Sequence, residues 1–220
     1  MVIERYLVLN KYLLSLFGAS DFKEVQEKLK DAPVGVDSDG RSHFVNVLRS
    51  AFENLQKDRL PEDSLLRYDE NIQSYVRKIN YKREPVSLKY FQYLAVLLAE
   101  IVLDNLKDRK VEFLYELNTF LKNYKQEQDI SLIDKFSEDD VKKLAFWMAT
   151  GSGKTLITHI NYHQFFHYRL FPPDIIILIT PNEGLSKQHF EELQKSGIPC
   201  WLYEGGLSGH GIFRDAREIL

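Results

Sequence analysis

The chain has 220 residues, of which 44% are hydrophobic, 28% charged and 13% aromatic, and its formal net charge is −3. That length makes one or two domains with a real core, and that composition excludes the disordered, collagen-like and disulfide-framed classes. The slightly acidic balance excludes a domain that binds nucleic acid through an overall basic charge, so any such binding has to be local.

The N-terminal stretch Met1 to Gly18 sets Glu4 ahead of its apolar residues and spaces these helically, which is not the layout of a secretory signal. From there to about residue 136 the apolar residues keep helical spacing, and loops fall where Gly, Pro and Asp gather. The clearest loop is Asp31 to Gly40, followed by a stripe of Phe44, Val47, Leu48, Ala51, Phe52 and Leu55. Pro61 opens a second helix carrying Leu65, Ile72, Tyr75, Val76 and Ile79, and Pro85 stops it. Ser87 can cap the next helix, whose apolar run from Tyr90 to Leu106 is broken by Gln92, Glu100 and Asp104. A membrane span needs about 20 residues with almost no charge, so this run reads as a buried helix. Val111, Leu114, Leu117, Phe120, Leu121 and Tyr124 continue the helical pattern, and Ser137 with Asp140 has the spacing of a helix start. The lone Cys200 has no internal disulfide partner and no zinc-spaced neighbours, which fits a reducing compartment; the expectation is a cytoplasmic protein with no membrane contact.

Near residue 143 the pattern changes. Leu144 to Met148 is a short apolar run that ends in a Gly-rich turn and leads into a helical stretch. After Phe171 and two prolines comes Ile175 to Ile179, apolar and mostly β-branched, as expected of a strand covered on both faces of a parallel sheet. A helix over about Glu183–Lys195 and a third apolar run, Cys200 to Tyr203, follow. The order β-α-β-α-β predicts an α/β fold: a helical N-terminal region, 1–84, followed over 85–220 by part of a P-loop domain with a parallel sheet, interrupted by a helical insertion at about 107–137.

The turn itself reads Met148-Ala149-Thr150-Gly151-Ser152-Gly153-Lys154-Thr155. Glycines at 151 and 153 let the backbone curl so that successive N–H groups point into one anion-binding concavity at a helix N-terminus. Lys154 can reach the outer phosphates of a nucleotide and the Thr155 hydroxyl can hold Mg²⁺, so ATP and Mg²⁺ are the expected ligands. The plain alternative is a glycine turn that happens to precede Lys-Thr. The first Gly of the full P-loop pattern is Met148 here.

Three segments then resemble, in the right order, those of superfamily 2 helicases and translocases, the DEAD/DEAH-box class in the broad sense. Ala149 to Thr155 resembles motif I, the Walker A motif. Thr180, Pro181, Asn182, Glu183, Gly184, Leu185, Ser186, Lys187 and Gln188 resemble motif Ia. Leu88 to Val96 resembles the segment that carries an adenine-reading glutamine, here Gln92. The wording is most similar to the motor subunits of type III restriction enzymes and, more loosely, type I. The resemblance implies a RecA-like fold, ATP-driven movement on double-stranded DNA, phosphate-backbone contacts at Thr180, Pro181, Asn182 and Gln188, and a partner methyltransferase or specificity subunit. RNA as the track is not separated from DNA by backbone-binding motifs. Outside this class, a P-loop module that binds nucleotide as a switch or assembly platform, without translocation, has the same loop.

Two departures matter. Gln92 stands 62 residues before Lys154, a wide gap that the 107–137 insertion has to fill. After Lys154 no apolar strand closes in Asp-Glu, the box that supplies the Mg²⁺-holding acid. The expectation is therefore an N-terminal piece of a longer motor that by itself binds nucleotide weakly and turns over essentially none. His159, His163 and His167 form one helical stripe, read as a solvated or interdomain face before a metal site. Arg77, Lys78, Lys82, Arg83 and Lys89, interleaved with Tyr75, Tyr81, Tyr90 and Phe91, read as a solvated face or as a nucleic-acid patch.

Overall fold

The computed structural model describes residues 3–51, 58–128, 130, 133–170 and 175–203. Among these residues the regular elements are helices: α1 (Val8–Leu16), α2 (Phe22–Leu29), α3 (His43–Ala51), α4 (Glu62–Ile79), α5 (Tyr90–Asp108), α6 (Lys110–Gln128), α7 (Lys154–Tyr168) and α8 (Glu183–Lys195).

The local chemistry sets their ends. The Asp21 carboxylate accepts the Glu24 N–H at 2.9 Å and starts α2, while the Glu24 carboxylate reaches back to the Ser20 N–H. In the Asp31–Gly40 loop the Asp37 carboxylate accepts the N–H groups of Asp39 and Arg41, both at 2.9 Å, and holds the turn into α3. Pro61 stands at the N-cap of α4, and Asn80 closes that helix and ties its end to Val86 through a pair of 3.0 Å hydrogen bonds. The start of α5 differs from expectation: Lys89, not Ser87, is the N-cap, and its N–H is accepted by the Gln92 side chain at 2.9 Å. Ser137 and Asp140 do bond each other, but what they start is a short 3₁₀ turn, Asp140–Lys142. Phe52 and Leu55 of the predicted stripe lie outside the described residues.

Helix α5 is apolar nearly all round, and such a helix has to be enclosed. Helices α2, α4, α6 and α7 pack around it, and a continuous apolar core runs from Val8 of α1 to Ile160 of α7. Tyrosine–carboxylate hydrogen bonds cross the core between helices: Tyr12 to Glu116 at 2.7 Å, Tyr68 to Asp104 at 2.6 Å, Tyr93 to Asp69 at 2.7 Å and Tyr168 to Glu100 at 2.6 Å. Asp69 and Glu100 are buried and Glu116 and Asp104 half-buried, and each gains a donor, which is the condition for keeping polar groups inside. Burial pushes all four phenols above their ordinary range, and the neighbouring carboxylate adds to it.

The α/β parallel-sheet expectation is overturned: no residue of the described chain is in a strand, and the only bridge is the isolated antiparallel pair Val36–Ser42. The runs 144–148, 175–179 and 200–203 carry no regular structure and form no ladder with one another among the described residues. β-Branched side chains bias single residues toward extended dihedrals. A parallel ladder needs more: a neighbouring strand for every N–H and C=O, and helices over both faces. Here the helix between the first two runs packs on α4 and α5, and Ile175 to Ile179 stay 45–87% exposed. The first run has one side, Phe146 and Met148, against the core with Trp147 turned out, and in the third Cys200 and Leu202 are half-buried while Trp201 and Tyr203 are exposed. No helix is long and apolar enough to cross a membrane among the described residues.

Candidate nucleotide-binding site

Helix α7 forms because Ile157, Ile160, Gln164 and Tyr168 recur at helical spacing and bury one stripe against α4 and α5. Its start is fixed by backbone geometry: Gly151 and Gly153 have φ of +76° and +88°, a region costly for any residue with a Cβ. The loop is closed by the Ser152 N–H on the Ala149 carbonyl at 3.2 Å and by the Ser152 hydroxyl on the same carbonyl at 2.7 Å. The first helical acceptor is the Gly153 carbonyl, bonded by Ile157 N–H. The N–H groups of Lys154, Thr155 and Leu156 therefore have no partner inside the helix, and the helix dipole adds positive potential there.

Lys154 is exposed, and its ammonium folds back on the loop, donating to the carbonyls of Met148 at 3.1 Å and Ala149 at 2.9 Å. Thr150 and Gly151 are exposed, while Ser152, Gly153 and Thr155 are half-buried. Gln92 meets the loop directly: its Nε2 donates to the Ser152 carbonyl at 2.8 Å while its Oε1 holds the Lys89 N–H. A Cβ on Gly153 would stand 2.4 Å from that Nε2. Gln92 and the glycine loop, 60 positions apart, are thus brought together.

The 180–188 segment opens α8. The Asn182 side chain is its N-cap, accepting the Leu185 N–H at 2.9 Å, and the Thr180 hydroxyl bonds the Asn182 carbonyl and the Ser186 hydroxyl. Pro181, Asn182 and Gln188 are exposed and Thr180 is half-buried. The C-terminus of α8 is fastened to the turn after α4: Arg83 donates to the Glu192 carbonyl at 2.8 Å and the Ser196 hydroxyl at 2.6 Å, and Lys82 N–H bonds the Lys195 carbonyl at 2.9 Å. Arg83 is thereby a joint of the fold and not part of a solvated face. Lys78 and Lys82 lie over the rings of Tyr75 and Tyr81.

The histidine stripe is solvated only at its end, where His167 is exposed. His159 is buried with Nδ1 on the Ser196 hydroxyl at 2.7 Å, and His163 stacks on Tyr75 of α4. Burial pulls both imidazoles down to about 4, reinforced at His159 by Arg83 and at His163 by Lys78. Both are therefore neutral at pH 7. No cluster of three or more metal-type side chains exists among the described residues.

One group near the loop helix was not marked by the sequence motifs. Glu100 of α5, wholly buried, accepts from Gln164, Tyr168 and Asn71. Its signal was present, because a carboxylate in the middle of an apolar run needs dedicated partners.

Residues 118–207 match the family described as type III restriction enzyme, res subunit. That segment is similar to a Res-type, helicase-like motor, in agreement with the resemblance in its motifs. The match begins within α6 and covers the glycine loop, α7, the 180–188 segment and α8, whereas Gln92 lies outside it. The family is one of ATP-dependent, helicase-like restriction subunits. No curated protein and no solved structure matches the chain.

Proposed function

We propose that this chain is the ATP-binding front part of a DNA-dependent helicase-type motor of a restriction or phage-defence system. The observation that carries the reading is the loop 149–155: two left-handed glycines, a Lys at the first helical position and free N–H groups aimed along the helix axis, inside a Res-type segment. Thr150 to Thr155 hold the phosphates, with the amides after Gly153 bonding their oxygens. Lys154 exchanges its two carbonyl contacts for the outer phosphates, and Thr155 takes a place on Mg²⁺, which shields the phosphate charge. Gln92 reads the adenine edge by giving up one of its two present bonds. Thr180, Pro181, Asn182 and Gln188 face the backbone of double-stranded DNA, and a methyltransferase or specificity subunit is the expected partner. Residues 1–84 form a helical N-terminal region and 85–220 the front of the motor, with 107–137 inserted.

The test is an equilibrium titration with a fluorescent ATP analogue and Mg²⁺. Saturable binding that drops at least tenfold in Lys154→Ala, with an unchanged thermal midpoint, is expected. Equal binding by both proteins contradicts the reading. Nucleotide binding that alters partner affinity but is never coupled to DNA in the ATPase assay would favour the switch-like P-loop module instead.

A further inference from the structure

We infer that Glu100 is a positioning residue for the glycine loop: it fixes how far α7 lies along α5, and so where the loop meets Gln92. The inference rests on the nucleotide-binding reading for its functional consequence, though not for its geometry. Glu100 is fully buried. Its Oε1 accepts Gln164 Nε2 at 2.8 Å and its Oε2 accepts the Tyr168 hydroxyl at 2.6 Å. These two donors lie one turn apart on α7, so together they set the helix's axial position and not only its distance. Asn71 of α4 donates to the same carboxylate at 3.2 Å, and Gln164 also donates to the Val96 carbonyl at 3.0 Å, which excludes sliding of that turn past α5.

Gln92 sits on the same helix as Glu100, eight residues earlier, or about 12 Å along the axis at 1.5 Å per residue. Helix α5 therefore grips α7 twice, at the loop through Gln92 and Ser152 and near the far end through Glu100. A one-residue slip of α7 would move Ser152 by about 1.5 Å, enough to break the 2.8 Å bond to Gln92. A buried carboxylate is costly to ionise, and burial raises its proton affinity while the donors around it lower it. An apolar side chain would fill the space at less cost but could not set the register.

Glu100→Gln keeps the shape but turns an amide toward two donors. Hydrogen–deuterium exchange of the chain without nucleotide should then rise at least fivefold in peptides covering 148–157, with residues 8–29 unchanged, and ATP-analogue affinity should fall about tenfold. Glu100→Gln with Gln164→Glu reverses donor and acceptor in that pair but gives up the bond to the Val96 carbonyl, so it should restore both readouts in part, a recovery that general loosening would not give. If Glu100→Gln does not fold, Tyr168→Phe removes one of the α7 bonds and should give a smaller change of the same kind. Loop exchange that is unchanged in these variants, or that rises equally across the chain without rescue, overturns the inference. A rescued loop response in a protein that binds no nucleotide supports the positioning role and instead contradicts the function proposed above.

Discussion

Gly153 is the residue on which the loop turns. Its φ of +88° and the 2.4 Å approach of Gln92 Nε2 to any Cβ are separate obstacles, one intrinsic to the backbone and one steric. Gly153→Ala should cost about 1–2 kcal/mol from the left-handed conformation alone, and more while Gln92 is present. Denaturant unfolding of Gly153→Ala with and without Gln92→Ala separates the two. Equal destabilisation in both backgrounds would show that the contact does not matter. Asn182 calls for the same care: as the N-cap of α8, its change to Ala should cost about 1 kcal/mol of stability before any DNA contact is considered, so stability has to be measured alongside DNA affinity.

Arg83 shows the same division of roles. The basic stretch from Arg77 to Lys89 was ambiguous in the sequence, and the structure assigns Arg83 to the joint with α8. Charge reversal of Lys78 and Lys82 is the cleaner probe of DNA binding than any variant of Arg83. Lower affinity with a shallower salt dependence is expected if the patch touches phosphates, and unchanged affinity would remove it from the interface.

Among the elements, α7 is tuned by buried neutral histidines. Their folded-state values near 4 lie below the ordinary 6.5, so the unfolded chain binds more protons between these limits. The stability that His159 and His163 allow is complete above about pH 6.5 and is lost as pH falls toward 4. Glu100 and Asp69 act in the opposite sense, because burial raises both and the folded state takes up their protons first on acidification. The measurement is the urea midpoint from pH 7 to 4.5 for the wild type and for His163→Phe, which keeps the stack on Tyr75. The variant should lose less stability on acidification, and parallel curves would contradict the account.

The elements also show what the sequence could and could not reveal. Helices α4 and α5 were legible because their patterns are local, a proline start and an apolar run, and α8 was legible over Glu183–Lys195 although its Asn182 cap was not read. The loop was legible because Gly-Ser-Gly-Lys-Thr encodes its own geometry. The parallel sheet was not, because Ile175 to Ile179 specify extended backbone but not a neighbour, and pairing depends on residues far away in the chain. Family resemblance alone marked Gln92 as an adenine reader, and its bond to Ser152 was not foreseen, since nothing local links positions 60 apart.

Across the whole molecule, the first six helices are not an appendage. Helices α4 and α5 supply the surface on which α7 lies, and through Gln92, Glu100 and Tyr75 they reach the loop helix at its start, end and middle. The claim that organises these contacts is that the amides following Gly153 receive a triphosphate. Amide NMR of the chain titrated with Mg²⁺–ATP reads this most directly. The account predicts saturable shifts at Gly151 through Thr155 and at the Gln92 side-chain amide, absent in Lys154→Ala. Shifts scattered elsewhere, or identical in that variant, would contradict it.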